Sequence, residues 1–402
     1  MPAKKIQVVL VVVAVVLVAS ATAFLLLPTV TQPQVRVVKI GLALPLTGPS
    51  SVQGRDMLQG AQDLVAEVNR KGGLLGAQIE LVTCDDETKA EVGVACIERF
   101  ATEGIKIVMG TYNSHVALAA MDAAAKHNIL YVITVAASDE IPRKIASDLG
   151  KYKYVFKTNI NASSFELGPH LFIEELLTTG KFKPRNNPPR LALITEDSAW
   201  GKYVGTIWKD KFTAKGWTVL QEITPYGSTD YYAILTKIKD FDPDIIKWES
   251  SSVAASMALV KQIYEVGLNR RALIFSDNSA SQTREFRDAA LKVAPNLITY
   301  FAYRKEGRDL IIEKGPFYAH QRTSMQFLFK AIEEANSFDV DKVAKAFEKT
   351  EFRSIRGLHK FTRYHEQIAS PQHIISLMVQ VQGGVDVFVW PSDVKERELI
   401  VP

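Results

Sequence analysis

The chain has 402 residues, 47% of them hydrophobic, which is enough for a large core and for more than one domain. Lysine and arginine number 48 against 44 aspartate and glutamate, a formal charge of +4. That balance excludes a basic nucleic-acid surface and an acidic disordered tail, so no nucleic-acid partner is expected.

The first element is apolar. Lys4 and Lys5 precede an uncharged run from Ile6 to Leu27, long enough to cross a bilayer as a helix. It reads either as a signal peptide cut after the small residues "ASATA" or as an anchor left in place, tying the chain to a membrane. Both readings put Arg36 onward outside the cytoplasm, in a periplasm or at a cell surface. Residues 1–35, ending in the Pro-bearing linker "TVTQPQVR", therefore stand apart.

From residue 37 strands and helices alternate. "VVKIGLAL" is an apolar strand, followed by a helix from Gln53 to Lys71 with Met57, Ala61, Leu64, Val65 and Val68 on one face. "AQIELVT" and a helix from Thr88 to Thr102 come next, then "IKIVMG" with "VALAAMDAAAKH", then "ILYVITVA". The pattern breaks across "KYKYVFKTNINAS" and "TTGKFKPRNNPPR" and restarts at "RLALITED". Helices are then expected over Gly201–Lys215, over Tyr231–Phe241 behind Asp230, and over "VAASMALVKQIYEV" and "QTREFRDAALKV". Apolar strands separated by helices predict α/β architecture: two Rossmann-like lobes, each a parallel sheet flanked by helices. The tail differs, with amphipathic helices at "TSMQFLFKAIEEAN" and "DVDKVAKAFEKT" and hairpin strands around Gly383 and Gly384.

There are two cysteines, and neither directly follows the apolar run, so a lipid-anchored cysteine is excluded. Cys84 ends a strand and Cys96 lies two turns into the next helix. At about 1.5 Å of rise per residue the spacing favours two buried free thiols over a bridge. Asn161 opens the sequon "NAS", a glycosylation acceptor in a host that uses one.

Open parallel sheets bind ligands at the C-terminal ends of their strands. In the first lobe those ends read "PLTGPSS", "CDDE", "TYNSH" and "VAASDE"; in the second, "TEDSAW", "TPYGS", "KWESSS" and "FSDNSAS". Hydroxyls and amides before helix starts suit an anion. Trp200, Tyr226, Trp248, Glu249 and Asp277 suit a cation, so together the two sets fit a zwitterion such as an amino acid. A nucleotide is a poor fit: "PLTGPSSVQG" has neither G-x-G-x-x-G nor a phosphate-binding lysine. Hydrolase motifs are missing, so no catalytic residue and no enzyme is expected. His359, His365 and His373 lack ligand spacing, so neither a metal nor another cofactor is expected. Asp85 and Asp86 read as helix-start acids rather than a catalytic pair.

"IGLALPLTGPSSVQGRDMLQGAQDLVAEVNRKGGLLG" resembles the opening of extracytoplasmic solute-binding proteins of the branched-chain amino acid (Leu/Ile/Val-binding) ABC transporter family, which show I-G-x-x-x-P-L-T-G-P, G, G-A and N-x-x-G-G-x-x-G in this order. "VMGTYNSHVALAAMDAAAKHNILYVIT", "ITEDSAWGKYVG", "STDYYAILTKIKDFDPDII" and "KAIEEANSFDVDKVAKAFEKTEFRSIRGLHKF" extend the likeness over nearly all of residues 37–390. The resemblance implies a type I periplasmic-binding-protein fold with three hinge crossovers, near Tyr154–Thr158, Ile298–Ala302 and Phe352–Gly357. Lobe one would then be 36–157 with 299–352, and lobe two 158–298 with 353–402. It further implies a small-molecule ligand, a cleft that closes by hinge motion, and delivery to ABC permease subunits. A ligand-sensing receptor ectodomain is the alternative of another class, and an amide or other carboxylate derivative the alternative ligand.

By the same resemblance Asn113, Ser114 and backbone N–H groups take a carboxylate, and Asp277, joined by Glu249, takes an ammonium. Several positions depart from the family. Ala136-Ala137 stands where Ala-Thr is usual, leaving Ser138 to supply a hydroxyl. Trp200 replaces a tyrosine, Gln53 an aromatic or apolar residue, and Glu249 a small one.

Overall fold

The structure, a computed structural model, describes residues 36–276, 281, 283–370 and 372–402. The apolar run at 6–27 and the ammonium-binding candidate Asp277 lie outside the described residues. Among those described, no helix is long and apolar enough to cross a membrane.

The first half builds a sheet from β1 (Val37–Leu44), β2 (Gln78–Asp85), β3 (Ile107–Gly110), β4 (Leu130–Ile133) and β5 (Val155–Lys157). All its pairings are parallel, in the order β2-β1-β3-β4-β5. Helices α1 (Ser51–Arg70), α2 (Ala90–Thr102), α3 (Ser114–Lys126) and α4 (Glu140–Ser147) link successive strands. β3 and β4 are buried at every residue, as strands covered on both faces must be. The apolar face of α1 buries Met57, Ala61, Leu64 and Val65 beside Ile40 and Leu42 of β1.

After β5 the chain runs through the short helix α5 (Ala162–Phe165) and α6 (Leu167–Thr178) into a second sheet. Its parallel part is β6 (Arg190–Glu196), β7 (Thr218–Thr224), β8 (Ile245–Glu249), β9 (Leu273–Phe275) and β10 (Ile298–Phe301). Between them lie α7 (Ala199–Ala214), α8 (Tyr232–Phe241), α9 (Val253–Glu265) and α10 (Arg284–Val293). The order β7-β6-β8-β9-β10 repeats the first sheet's winding. Ile298–Phe301 pairs within this second sheet, so the chain leaves it after Phe301, whereas the sequence boundary falls at 298/299.

The tail returns to the first sheet. Helix α11 (Arg308–Lys314) leads into α12 (Pro316–Ala335), which lies along α1, and α13 (Val340–Phe347) packs on α12. Strands β11 (Phe352–Ser354) and β12 (Gly357–His359) pair only with each other as a small hairpin. The chain then crosses back, and β13 (Leu377–Gln382) and β14 (Val385–Trp390) extend the second sheet antiparallel, turning at Gly383 and Gly384. Three passages thus connect two α/β lobes within one compact unit, Val37–Pro402.

Two glycines explain the opening pattern of α1. A Cβ on Gly54 would stand 2.0 Å from the Pro45 carbonyl oxygen, and one on Gly60 2.4 Å from that of Tyr318. Both positions let backbone approach the helix closely.

Cys84 and Cys96 form a disulfide, with Cα atoms 5.7 Å apart. This corrects the free-thiol reading. Chain reversal through Glu87 and Thr88, both in the left-handed region, sends α2 back alongside β2, so helix rise brings Cys96 level with Cys84 instead of away from it. Asn161 is 9% exposed and its amide donates to Glu366, so the folded sequon offers no free acceptor.

Candidate functional site

Each sheet reverses its strand order at one point, between β1 and β3 in the first and between β6 and β8 in the second. Such switch points leave a crevice beyond the strand ends. The two crevices face each other and enclose a cavity of about 420 Å³. The first lobe contributes Pro49 after β1, Thr88 after β2, Tyr112, Asn113, Ser114 and His115 after β3, and Val135 and Ala137 after β4. The second contributes Ser198, Trp200, Tyr226 and Ser251. Asn159 and Phe165 line it from the first passage, and Phe317 and His320 from α12.

The loop "PLTGPSSVQG" is held by a carboxylate. Asp85 Oδ1 accepts from the backbone N–H of Leu46, Thr47 and Glu87 at 2.8, 3.2 and 2.9 Å, and Oδ2 accepts from Thr47 Oγ1 at 2.6 Å. Partial burial works against ionisation, but these bonds hold Asp85 below the usual carboxylate range. Asp86 Oδ1 accepts from Thr88 N–H at 2.9 Å, and burial pushes its carboxyl up to about 6. Thr88 and Thr111, at φ 63° and 52°, hold left-handed conformations that β-branched residues rarely adopt. Both sit at the first lobe's strand ends, in loops that line or adjoin the cavity.

Contacts cross between the lobes. Gln53 is 1% exposed; its Nε2 donates to the Ser251 carbonyl at 3.3 Å, and its Oε1 is buried without a hydrogen-bond partner. Tyr226 of the second lobe faces Ser50 of the first, and Tyr203 on α7 faces Asp139 and Arg143 at α4.

At the start of α3, Ser114 Oγ accepts from the Ser138 N–H at 3.2 Å. Ser138's own hydroxyl accepts from the Glu140 N–H at 3.2 Å, so it serves the start of α4 and not the cavity wall. Ala137 lines the cavity; Ala136 is buried behind it in the core around Phe100 and Tyr131. Of the aromatic candidates, Trp200 and Tyr226 reach the cavity. Trp248 does not: it is fully buried with Leu235, Ile263 and Phe286. Strand alternation at β8 turns it to that core and turns Lys247 and Glu249 the other way. Glu249 Oε2 pairs with Lys247 Nζ at 2.8 Å, and its Oε1 accepts from Trp200 Nε1 at 2.7 Å. Its charge is therefore matched inside the lobe, and it holds the Trp200 ring.

Phe165, Phe317 and His320 were not anticipated. They come from the first passage and from α12, whose placement under the cleft no local motif encodes. His320 is buried, and burial, with Arg356 and His359 nearby, holds its imidazole well below the usual range and so neutral. Cavity-wall residues among those described include no carboxylate. Among the described residues no group of three or more His, Cys, Asp or Glu side chains could hold a metal.

Comparisons with known proteins agree with this architecture. A periplasmic binding protein family model matches residues 37–384. The Leu/Ile/Val-binding protein BraC3 of Rhizobium johnstonii is 29% identical over 248 residues, covering 61% of this chain and 62% of that relative, under two thirds of its length. Leu/Ile/Val-binding protein homolog 1 of Brucella abortus is 25% identical over 336 residues, 80% of this chain and 85% of the relative. Among solved structures, a putative branched-chain amino acid ABC transporter from Silicibacter pomeroyi superposes with a TM-score of 0.78 at 19% identity, covering 91% of this chain and 99% of that one. The transporter substrate-binding protein LivJ from Streptococcus pneumoniae in complex with isoleucine gives 0.72 at 19%, covering 91% and 100%. A solute-binding protein from R. palustris in complex with benzoate gives 0.71 at 19%, covering 88% and 95%. With the family match spanning both lobes and the cleft between their switch points, the chain belongs to the periplasmic binding protein family, whose members bind solutes and are not enzymes.

Proposed function

We propose that the protein captures a small organic carboxylate with an apolar body in the interlobe cavity and delivers it to the permease of an ABC importer outside the cytoplasm. The observation that carries this reading is the division of the cavity wall. Asn113, Ser114 and His115 stand at the start of α3, where free N–H groups and the helix dipole favour an anion. Tyr112, Phe165, Trp200 and Phe317 supply rings for the rest of the molecule. At about 420 Å³ the cavity matches ligands of modest size.

Branched-chain amino acids and aromatic acids both fit this description, and relatives of the fold are solved with isoleucine and with benzoate. For an amino acid, Asp277 is the ammonium partner that the sequence offers. The Gln53–Ser251 hydrogen bond across the cleft, which an open form would break, supports closure by hinge motion. A thermal-shift screen of the full-length protein against L-isoleucine, L-leucine, benzoate and 4-hydroxybenzoate tests the reading. At least one acid should raise the melting temperature; no shift with any of them would refute it.

A further inference from the structure

One buried cation stands behind the cavity wall with no ion-pair partner among the described residues. Arg356, in the turn between β11 and β12, is 1% exposed. Its Nη2 donates to Asn159 Oδ1 at 2.6 Å, while Nε and Nη1 are buried with no hydrogen-bond acceptor. No carboxylate among the described residues forms an ion pair with it, and its electrostatic neighbour is Tyr303, whose ring centre lies 6.0 Å away. Arg356 itself is not in the cavity wall, but Asn159, which accepts its hydrogen bond, and His320, on which its charge acts, both are. His320 packs at a tilt against the same Tyr303 ring, 5.4 Å between centres. A second buried cation, Lys157, donates Nζ to the Asn159 carbonyl at 2.7 Å, though Asp139 and Glu366 face that one. Asn159 is in turn fixed by donating Nδ2 to the Val135 carbonyl at 2.7 Å. It is a rigid relay between the cation and the cavity.

We infer that Arg356 is the positioning charge that makes the cavity select an organic monoanion over a neutral or zwitterionic molecule of the same shape. The ligand is then an apolar monocarboxylate with no ammonium group, and its carboxylate supplies the negative charge that the protein does not place beside Arg356. An uncompensated buried cation is unfavourable until an anion arrives, so charge adds to affinity through the low-dielectric wall even without direct contact. This rests on the carboxylate-binding reading above.

The test uses titration calorimetry on the full-length protein with benzoate, its neutral isostere benzamide, and L-leucine. Benzoate should bind at least about tenfold tighter than benzamide and tighter than L-leucine, as expected for a charge acting through a dry wall. In Arg356→Met the benzoate-to-benzamide ratio should fall at least about fivefold, to what the start of α3 alone supplies, with benzamide affinity little changed, and Arg356→Lys should restore the preference. A structural role would weaken both ligands alike. Should Arg356→Met fail to fold, Arg356→Gln, which keeps a donor for Asn159 without the charge, replaces it. A wild-type ratio near one, tighter binding of L-leucine, or a ratio that survives loss of the charge would each overturn this inference while leaving the carboxylate-binding reading standing. Absence of binding by every acid would defeat that reading as well.

Discussion

Replacing Glu249 tests whether it organises the cavity wall or touches the ligand. The Lys247–Glu249 pair is 2% and 0% exposed at its side chains. Truncation to alanine removes the carboxylate that Lys247 hydrogen-bonds, leaving the ammonium with the Trp248 carbonyl, the Trp208 and Tyr300 rings at 5.8 and 5.5 Å, and the buried carboxyl of Glu166, which those two side chains also hold. Breaking a buried pair from one side costs about 3–5 kcal/mol when the remaining charge is wholly unpaired, and the attraction of Glu166 puts the expected loss at the lower end, about 3 kcal/mol. Glu249→Gln keeps an acceptor for Trp200 Nε1 and should cost less. Replacing both partners, Lys247→Met with Glu249→Leu, removes the stranded charge and should recover most of the loss. Urea unfolding of the four proteins, followed by far-ultraviolet circular dichroism, reads these differences. A loss below about 1 kcal/mol for Glu249→Ala, or a double variant as unstable as the single one, would refute the pairing argument.

Other outcomes follow from the same reasoning. Gly60→Ala should destabilise by about 1–3 kcal/mol, since the added Cβ meets the Tyr318 backbone where α1 and α12 touch; a neutral result in the urea assay would contradict that close approach. Reducing the Cys84–Cys96 bridge, which closes a loop of 12 residues, should cost about 2–3 kcal/mol, seen as a lower melting temperature in reductant; rapid labelling of two thiols in the untreated native protein would contradict the bridge. Burial, and then Glu285 across the cleft, pushes Asp56 up to about 7 despite the nearby Arg55. Because this carboxyl keeps its proton longer in the folded state, stability falls as pH rises from about 4 to about 7. Melts across that window should flatten in Asp56→Asn, and an unchanged slope would contradict the assignment.

The alternation of apolar strands with helices was legible because the central strands are covered on both faces, which removes the polar alternation and leaves nearly continuous runs such as "IGLAL". The turn glycines were equally legible, at Gly383 and Gly384 for a hairpin and at Gly72 and Gly73 for the end of α1. Strand-end loops pointed to Asn113, Ser114, Trp200 and Tyr226, since the winding order places those ends together. What the sequence hid is non-local. Glu249 read as a ligand partner because nothing near it announces that Lys247, two residues back on the same face, neutralises it. Trp248 read as a site aromatic because a strand end does not reveal which face meets solvent. Phe317 and His320 depend on α12 crossing beneath the cleft after about 200 residues of intervening chain beyond Ser114, and Arg356 acts through Asn159, its partner at a separation of 197.

The central claim is that the interlobe cavity binds a small carboxylate by its apolar body and its charge. Titration calorimetry of the full-length protein with the acid that stabilises it best, repeated on Trp200→Ala, tests this most directly. The account predicts one site per chain, and an affinity at least about tenfold weaker once the indole contact is removed. Binding of the same acid with unchanged affinity in Trp200→Ala, or no saturable binding in the parent protein, would contradict it.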